Sequence, residues 1–166
     1  MSQDNAPTDR AHLQAALEEA RLSLEASDWP IGAVLVGADG AVIGQARNTL
    51  RTGQSRLHHA ELQLLLAHMP EVRQNEGRLT VYSSLEPCVM CLSALILARV
   101  RRIVWACGDP FGGGQRLIRL DEWAPARSVA LVPEPFPDLK QASRGYVLAY
   151  LERSGDEEKA RLFRGL

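Results

Sequence analysis

The sequence predicts an α/β fold, a sheet covered on both faces by helices. Three observations carry this. Asp39-Gly40 between two short apolar runs is a hairpin signal. After that hairpin, runs of strand length alternate with stretches of helical apolar period. Further helical sequence precedes the hairpin and closes the chain, so both faces can be covered.

In order, Leu13, Leu17, Ala20 and Leu24 recur at helical spacing, which predicts an amphipathic helix over 10–26 with Thr8 or Asp9 as its cap. Asp28, Trp29 and Pro30 end it. Two strands follow, 33–36 and 42–47, joined by Gly37-Ala38-Asp39-Gly40. The polar stretch 49–57 is a loop. A helix is expected over 59–69, ended by Pro70, then a strand over 79–83, a helix over 88–98 and a strand over 102–107. From Phe111 the expectations are a flexible loop at 111–114, a short helix over 115–123, a fifth strand over 128–132 and a proline-rich turn over 132–137. Helices over 139–153 and 156–163 complete the chain, the first containing Gly145.

At 166 residues the length fits one domain. A tail over 1–9 precedes a single domain over 10–166, whose last part, about 133–166, forms a helical extension. Apolar content of 46% and charged content of 23% are ordinary for a globular protein. A net charge of −1 supplies no long-range field for nucleic acid. Three cysteines are too few for a disulfide scaffold and fit a reducing compartment. The first ten residues lack the apolar core of a signal peptide, and no apolar run approaches a membrane span. The expected location is cytoplasmic, with no membrane partner.

Two motifs carry chemistry: His59-Ala60-Glu61 and Pro87-Cys88-Val89-Met90-Cys91. Each heads a stretch of expected helix. Cys88 and Cys91, three apart, share a helix face and can chelate one ion. Pro87 suits the first helical turn, where a missing N–H costs nothing. A helix N-terminus favours thiolates. Thiolate and imidazole are zinc ligands, and three of them leave a fourth tetrahedral position open. Two thiolates and a neutral imidazole cancel the charge of Zn²⁺, so one zinc ion per chain is the expected cofactor. Glu61 lies roughly 200° around a helix from His59, so both cannot point at the metal. His59 is read as the ligand and Glu61 as the acid/base group. The competing reading is a structural zinc site, which needs a fourth protein ligand; Cys107 is the remaining cysteine.

With these motifs the chain resembles the zinc-dependent cytidine deaminase-like superfamily, whose signature is H-x-E followed by P-C-x-x-C. The resemblance spans about 30–109 and includes Pro30-Ile31-Gly32-Ala33-Val34-Leu35-Val36, Asn48, Ser84-Leu85-Glu86 before Pro87, and Gly108-Asp109-Pro110. It is greatest to the branch of bacterial tRNA adenosine deaminases and guanine deaminases. It implies a three-layer α/β/α fold with a five-stranded mixed sheet, zinc held by His59, Cys88 and Cys91, and proton transfer by Glu61. It also implies a homodimer formed through the metal-bearing helices, where Leu95, Ile96 and Arg99 are candidates against a plain core role.

Other residues are weighed against their ordinary roles. Asn48 closes the second strand, and by resemblance binds the base. The Ala60 N–H would hydrogen-bond the base near the helix start. By resemblance Asp109 would read an exocyclic group and Phe111 would stack on a ring; otherwise Asp109 begins a turn. Trp29 is a pocket wall or core residue. Glu86 is expected to fix a turn or pair with an arginine rather than to catalyse. Cys107 is expected to be buried and inert, and His12 and His68 to lie on helix surfaces. The expected activity is hydrolytic deamination of an amine-bearing nucleobase, nucleoside or related small heterocycle. The alternatives are a tRNA wobble-adenosine deaminase and a non-catalytic zinc-stabilised interaction module. Lys140 and Lys159 are the only lysines, and phosphate contacts dominate nucleic-acid affinity. A small substrate is therefore preferred to tRNA.

Overall fold

The computed structural model describes residues 6–118 and 121–165. Helix α1 (Ala6–Glu25) leads into a hairpin of β1 (Gly32–Val36) and β2 (Val42–Arg47). Then come α2 (Ala60–Ala67), α3 (Met69–Gln74), β3 (Thr80–Leu85), α4 (Val89–Leu97) and β4 (Arg102–Cys107). A short α5 (Gly114–Leu117), a 3₁₀ turn (Ala124–Ser128), β5 (Ala130–Pro133), α6 (Pro137–Ser154) and α7 (Glu157–Arg164) follow.

The five strands form one sheet in the order β2-β1-β3-β4-β5. β1 pairs antiparallel with β2 and β3, while β3–β4 and β4–β5 are parallel, so the sheet is mixed as expected. Alternate strand residues point to opposite faces, and the packing follows that period. Ala33, Leu35, Val81, Ile103 and Trp105 meet Leu64 and Leu65 of α2 and Leu92, Leu95 and Ile96 of α4. Val34, Val36, Tyr82, Val104 and Ala106 meet Leu13, Ala16 and Leu17 of α1 and Leu139 of α6. This is the three-layer α/β/α arrangement. Gly32 lets α1 lie close to the sheet, because a Cβ there would collide with the Ala16 carbonyl oxygen.

Several boundaries differ from expectation. Helix α1 begins at Ala6, so 6–9, expected in the tail, are helical; residues 1–5 lie outside the described residues. Pro70 does not end a helical segment but sits in the first turn of α3, where proline needs no hydrogen-bonded N–H. Pro87 precedes the helix it was expected to enter, and Cys88 is that helix's N-cap. The helix expected over 115–123 is confined to Gly114–Leu117, with Arg119 and Leu120 outside the described residues. The fifth strand is shifted to Ala130–Pro133; as an edge strand it accommodates the proline. Leu95 and Ile96 are core residues, which removes them from any interface. His12 is no free surface residue, since its ring packs at a tilt against Tyr82 with centroids 4.9 Å apart.

Candidate metal centre and substrate cavity

The parallel pair β3–β4 positions the site. Leu85 lies opposite Cys107 in the register, so the two strands exit side by side, and Glu86 N donates to Cys107 O at 2.7 Å. One exit runs into Cys88 and α4, the other into the loop 108–113. Cys88 and Gly113 form a backbone bridge, and Gly114 N donates to Pro87 O at 2.9 Å. The loop is thereby stitched to the cysteine motif.

His59 is the N-cap of α2, and Cys88 that of α4, with Cys91 in the first turn of α4. Packed on the same sheet face, the two helix heads bring one ligand atom from each of the three residues within 4.8 Å of one another. His59 Nδ1 lies 3.6 Å from Cys88 Sγ. A tetrahedral centre with bonds of about 2.0 Å to nitrogen and about 2.3 Å to sulfur sets such atoms about 3.5 Å apart, so the donors fit zinc. The Cys88 thiol, hydrogen-bonded to Cys91 and next to His59, is held down to about 4. The same contact raises His59. Cys91 is pushed up by its hydrogen bond to Cys88 and by burial, a preference that a bound cation reverses. Cys107 stands apart, buried with Val147 and Leu151, and is not in the cluster. Its burial pushes the thiol up to about 12. The structural-zinc arrangement that would use Cys107 as fourth ligand is therefore not formed.

Glu61, in the first turn of α2, is 2% exposed. Burial raises its carboxyl above the ordinary carboxylate range, and Ser83 Oγ donates to its Oε1 at 3.2 Å. His59, Cys88 and Glu61 line a cavity of about 200 Å³, and Trp29, Asn48, Asp109 and Phe111 line it too. Ala60 does not: it is fully buried and is not among the lining residues. Asn48 is 1% exposed; its Oδ1 accepts from Leu50 N at 3.0 Å, while its Nδ2 is buried without a partner. A buried unpaired donor is costly, about 1–3 kcal/mol. Asp109 fills the turn role, with Oδ1 accepting from Phe111 N at 2.8 Å.

Three supporting carboxylates hold the loops around the cavity, Glu86 in the turn-fixing role expected of it. Glu86 accepts from Asp109 N at 3.1 Å and Gln115 N at 3.0 Å, so it pins the loop through backbone amides. A Cβ at Gly113 would stand 2.5 Å from that carboxyl. Glu134 accepts from Gly108 N at 2.7 Å. Asp28, 1% exposed, accepts from Thr52 Oγ1 at 2.6 Å and Thr52 N at 3.2 Å, which ties down the loop after Asn48.

These features define a zinc-binding α/β/α protein with a buried carboxylate beside the metal cluster. The profile of the cytidine and deoxycytidylate deaminase zinc-binding region matches residues 6–107, and the chain belongs to that family. Its cofactor is one Zn²⁺. Among curated relatives, the tRNA-specific adenosine deaminase of Bacillus subtilis is 37% identical over 107 residues, 63% of this chain. The match spans 65% of that relative's length, just under two thirds. A solved structure from work on A-to-I editing by tRNA:A34 deaminases at the wobble position shares 31% identity, with a TM-score of 0.66. It covers 75% of this chain and 97% of its own. The guanine deaminase from Nitrosomonas europaea has the same fold, with a TM-score of 0.67 at 22% identity over 82% of this chain and 83% of its own. Among the described residues no helix is long and apolar enough to cross a membrane.

Proposed function

We propose that this chain is a zinc-dependent hydrolytic deaminase of an amine-bearing nucleobase, free or as a nucleoside, or of a related small heterocycle. The observation that carries the reading is a buried carboxylate, Glu61, sharing one cavity with His59 and Cys88 of the metal cluster. In this reading His59, Cys88 and Cys91 hold the zinc, which supplies Lewis acidity and brings the pKa of water down to about 7. Glu61 takes one proton from the attacking water and delivers it to the ring nitrogen, then takes the second from the added hydroxyl and delivers it to the departing amine. Water adds to the amine-bearing carbon, the C–N bond breaks and ammonia leaves. The raised pKa of Glu61 suits a group that must both accept and donate. Ser83 holds its Oε1, and the unpaired Nδ2 of Asn48 offers a donor to a carbonyl or ring nitrogen of the base.

The cavity volume lies below the ~300–1,000 Å³ of sites for drug-sized ligands, which supports a single heterocycle as the bound group. A tRNA substrate is the second reading, favoured by the names of the relatives at 31–37% identity. Ammonia release from free bases, nucleosides and a tRNA anticodon stem-loop, at two salt concentrations, separates the two. Release from the stem-loop alone, weakened steeply by salt, would replace the first reading with the second. We also propose a homodimer through the outer faces of α2 and α4, where Leu66 is 76%, Leu97 65% and Val89 44% exposed. Light scattering at the monomer mass would refute it.

A further inference from the structure

Phe111 lines the cavity yet is 58% exposed, so its ring needs something to hold it. What lies against it comes from the far end of the chain. Lys159 Nζ, on α7, stands 4.8 Å from the Phe111 ring centroid. That ammonium is itself fixed: Asp156 Oδ2 accepts from it at 2.6 Å, and Asp156 Oδ1 accepts from Lys159 N at 3.1 Å, capping α7. α7 is anchored in turn, because Ala160 and Phe163 are buried in one apolar cluster with Val147 and Leu151 of α6 and with Leu85 and Cys107, the last residues of β3 and β4.

The other lysine serves the same loop. Lys140 Nζ donates at 3.0 Å to Glu134, whose second oxygen receives Gly108 N. Both lysines of the chain therefore brace the segment 108–115, which Glu86 already pins at two amides.

We propose that Lys159, clamped by Asp156, is a positioning residue that holds Phe111 as an aromatic wall of the substrate cavity, making α7 a determinant of selection for a flat, unsubstituted heterocycle. This rests on the deaminase reading and narrows its substrate to the free base. The physical argument has two parts. A cation over a ring face is worth about 0.5–2 kcal/mol, enough to fix the orientation of an exposed ring. Density drawn toward the ammonium leaves the rest of the ring better matched to an electron-rich heterocycle in an offset stack. Phe111 both lines the cavity and is largely exposed, so it stands at the mouth, where a sugar or a nucleic-acid backbone on the base would meet it.

The test compares the full zinc-loaded chain with Lys159→Arg and Lys159→Met, using adenine, guanine and their nucleosides. Lys159→Met raises KM for the preferred free base by about fivefold, with kcat held within about twofold, and Lys159→Arg restores it. An unchanged KM, or an arginine variant no better than methionine, overturns the proposal. A second measurement does not need turnover. The chain has three phenylalanines, Phe111, Phe136 and Phe163, so fluorophenylalanine labelling gives three fluorine resonances. Lys159→Met displaces the Phe111 line more than the Phe136 line. A Phe111 line at the same position in both proteins overturns the proposal, whether or not any compound is deaminated. Absence of ammonia release from every compound, with the Phe111 line displaced by the substitution, counts against the deaminase reading and in favour of the positioning role.

Discussion

Two glutamates near the metal cluster stand in different surroundings. Glu61 is buried and raised in pKa, and Ser83 Oγ donates to its Oε1. Both oxygens of Glu86 are committed to backbone amides. Glu61→Gln keeps the shape but cannot carry the proton. Ammonia release is expected to fall by at least ~100-fold while metal analysis still finds one zinc per chain. Glu86→Ala leaves two amides without their charged acceptor, at about 1.5–3 kcal/mol each where they stay dry. The expected result is a lower melting temperature and a raised KM, with zinc content unchanged. Cys107, buried and raised to about 12, is expected to resist alkylation in the native protein and react only after denaturation.

Helix α1 is tied to the sheet by an ion pair, whereas α7 carries one within its own first turn. At the start of α1, Asp9 is 5% exposed and accepts from Arg102 at 2.8 and 2.6 Å and from Tyr82 Oη at 2.7 Å. Tyr82 is raised by burial and by this carboxylate. Asp9→Ala leaves Arg102 and a phenol without their acceptor, and about 3 kcal/mol of stability should be lost in urea unfolding. The clamp on α7 is half-buried. The Lys159 contact lowers the Asp156 carboxyl below its ordinary value. A carboxylate depressed on folding stabilises above its unfolded pKa of about 3.9, and that contribution disappears as pH falls through the depressed folded value. Asp156→Ala should therefore melt below wild type at neutral pH. The gap should close as the solution is acidified below the carboxylate range, as read by paired thermal scans.

The metal site joins two helices of one layer that no local pattern links, since α2 and α4 are separated in the chain by α3 and β3. Chelation should lower the melting temperature and recover on adding Zn²⁺, because a ligand that binds only the folded chain stabilises it by mass action. The element order, the mixed α/β class and the metal donors were legible in the chain because each depends on near neighbours. A cysteine pair three apart, a turn dipeptide and an apolar period are settled by the sterics of adjacent residues. The partners of Glu86, Glu134 and Lys159 were not legible. Their contacts cross 23, 26 and 48 positions, and they exist because β3 and β4 pair with Leu85 opposite Cys107 and because α7, docked with α6, joins the apolar cluster at the ends of those strands. Residue types and spacing were enough to specify a zinc-binding chemistry. The shape of the cavity beside the metal depended on strand register and helix docking, which are properties of the whole packed chain and leave no mark on any short stretch of it.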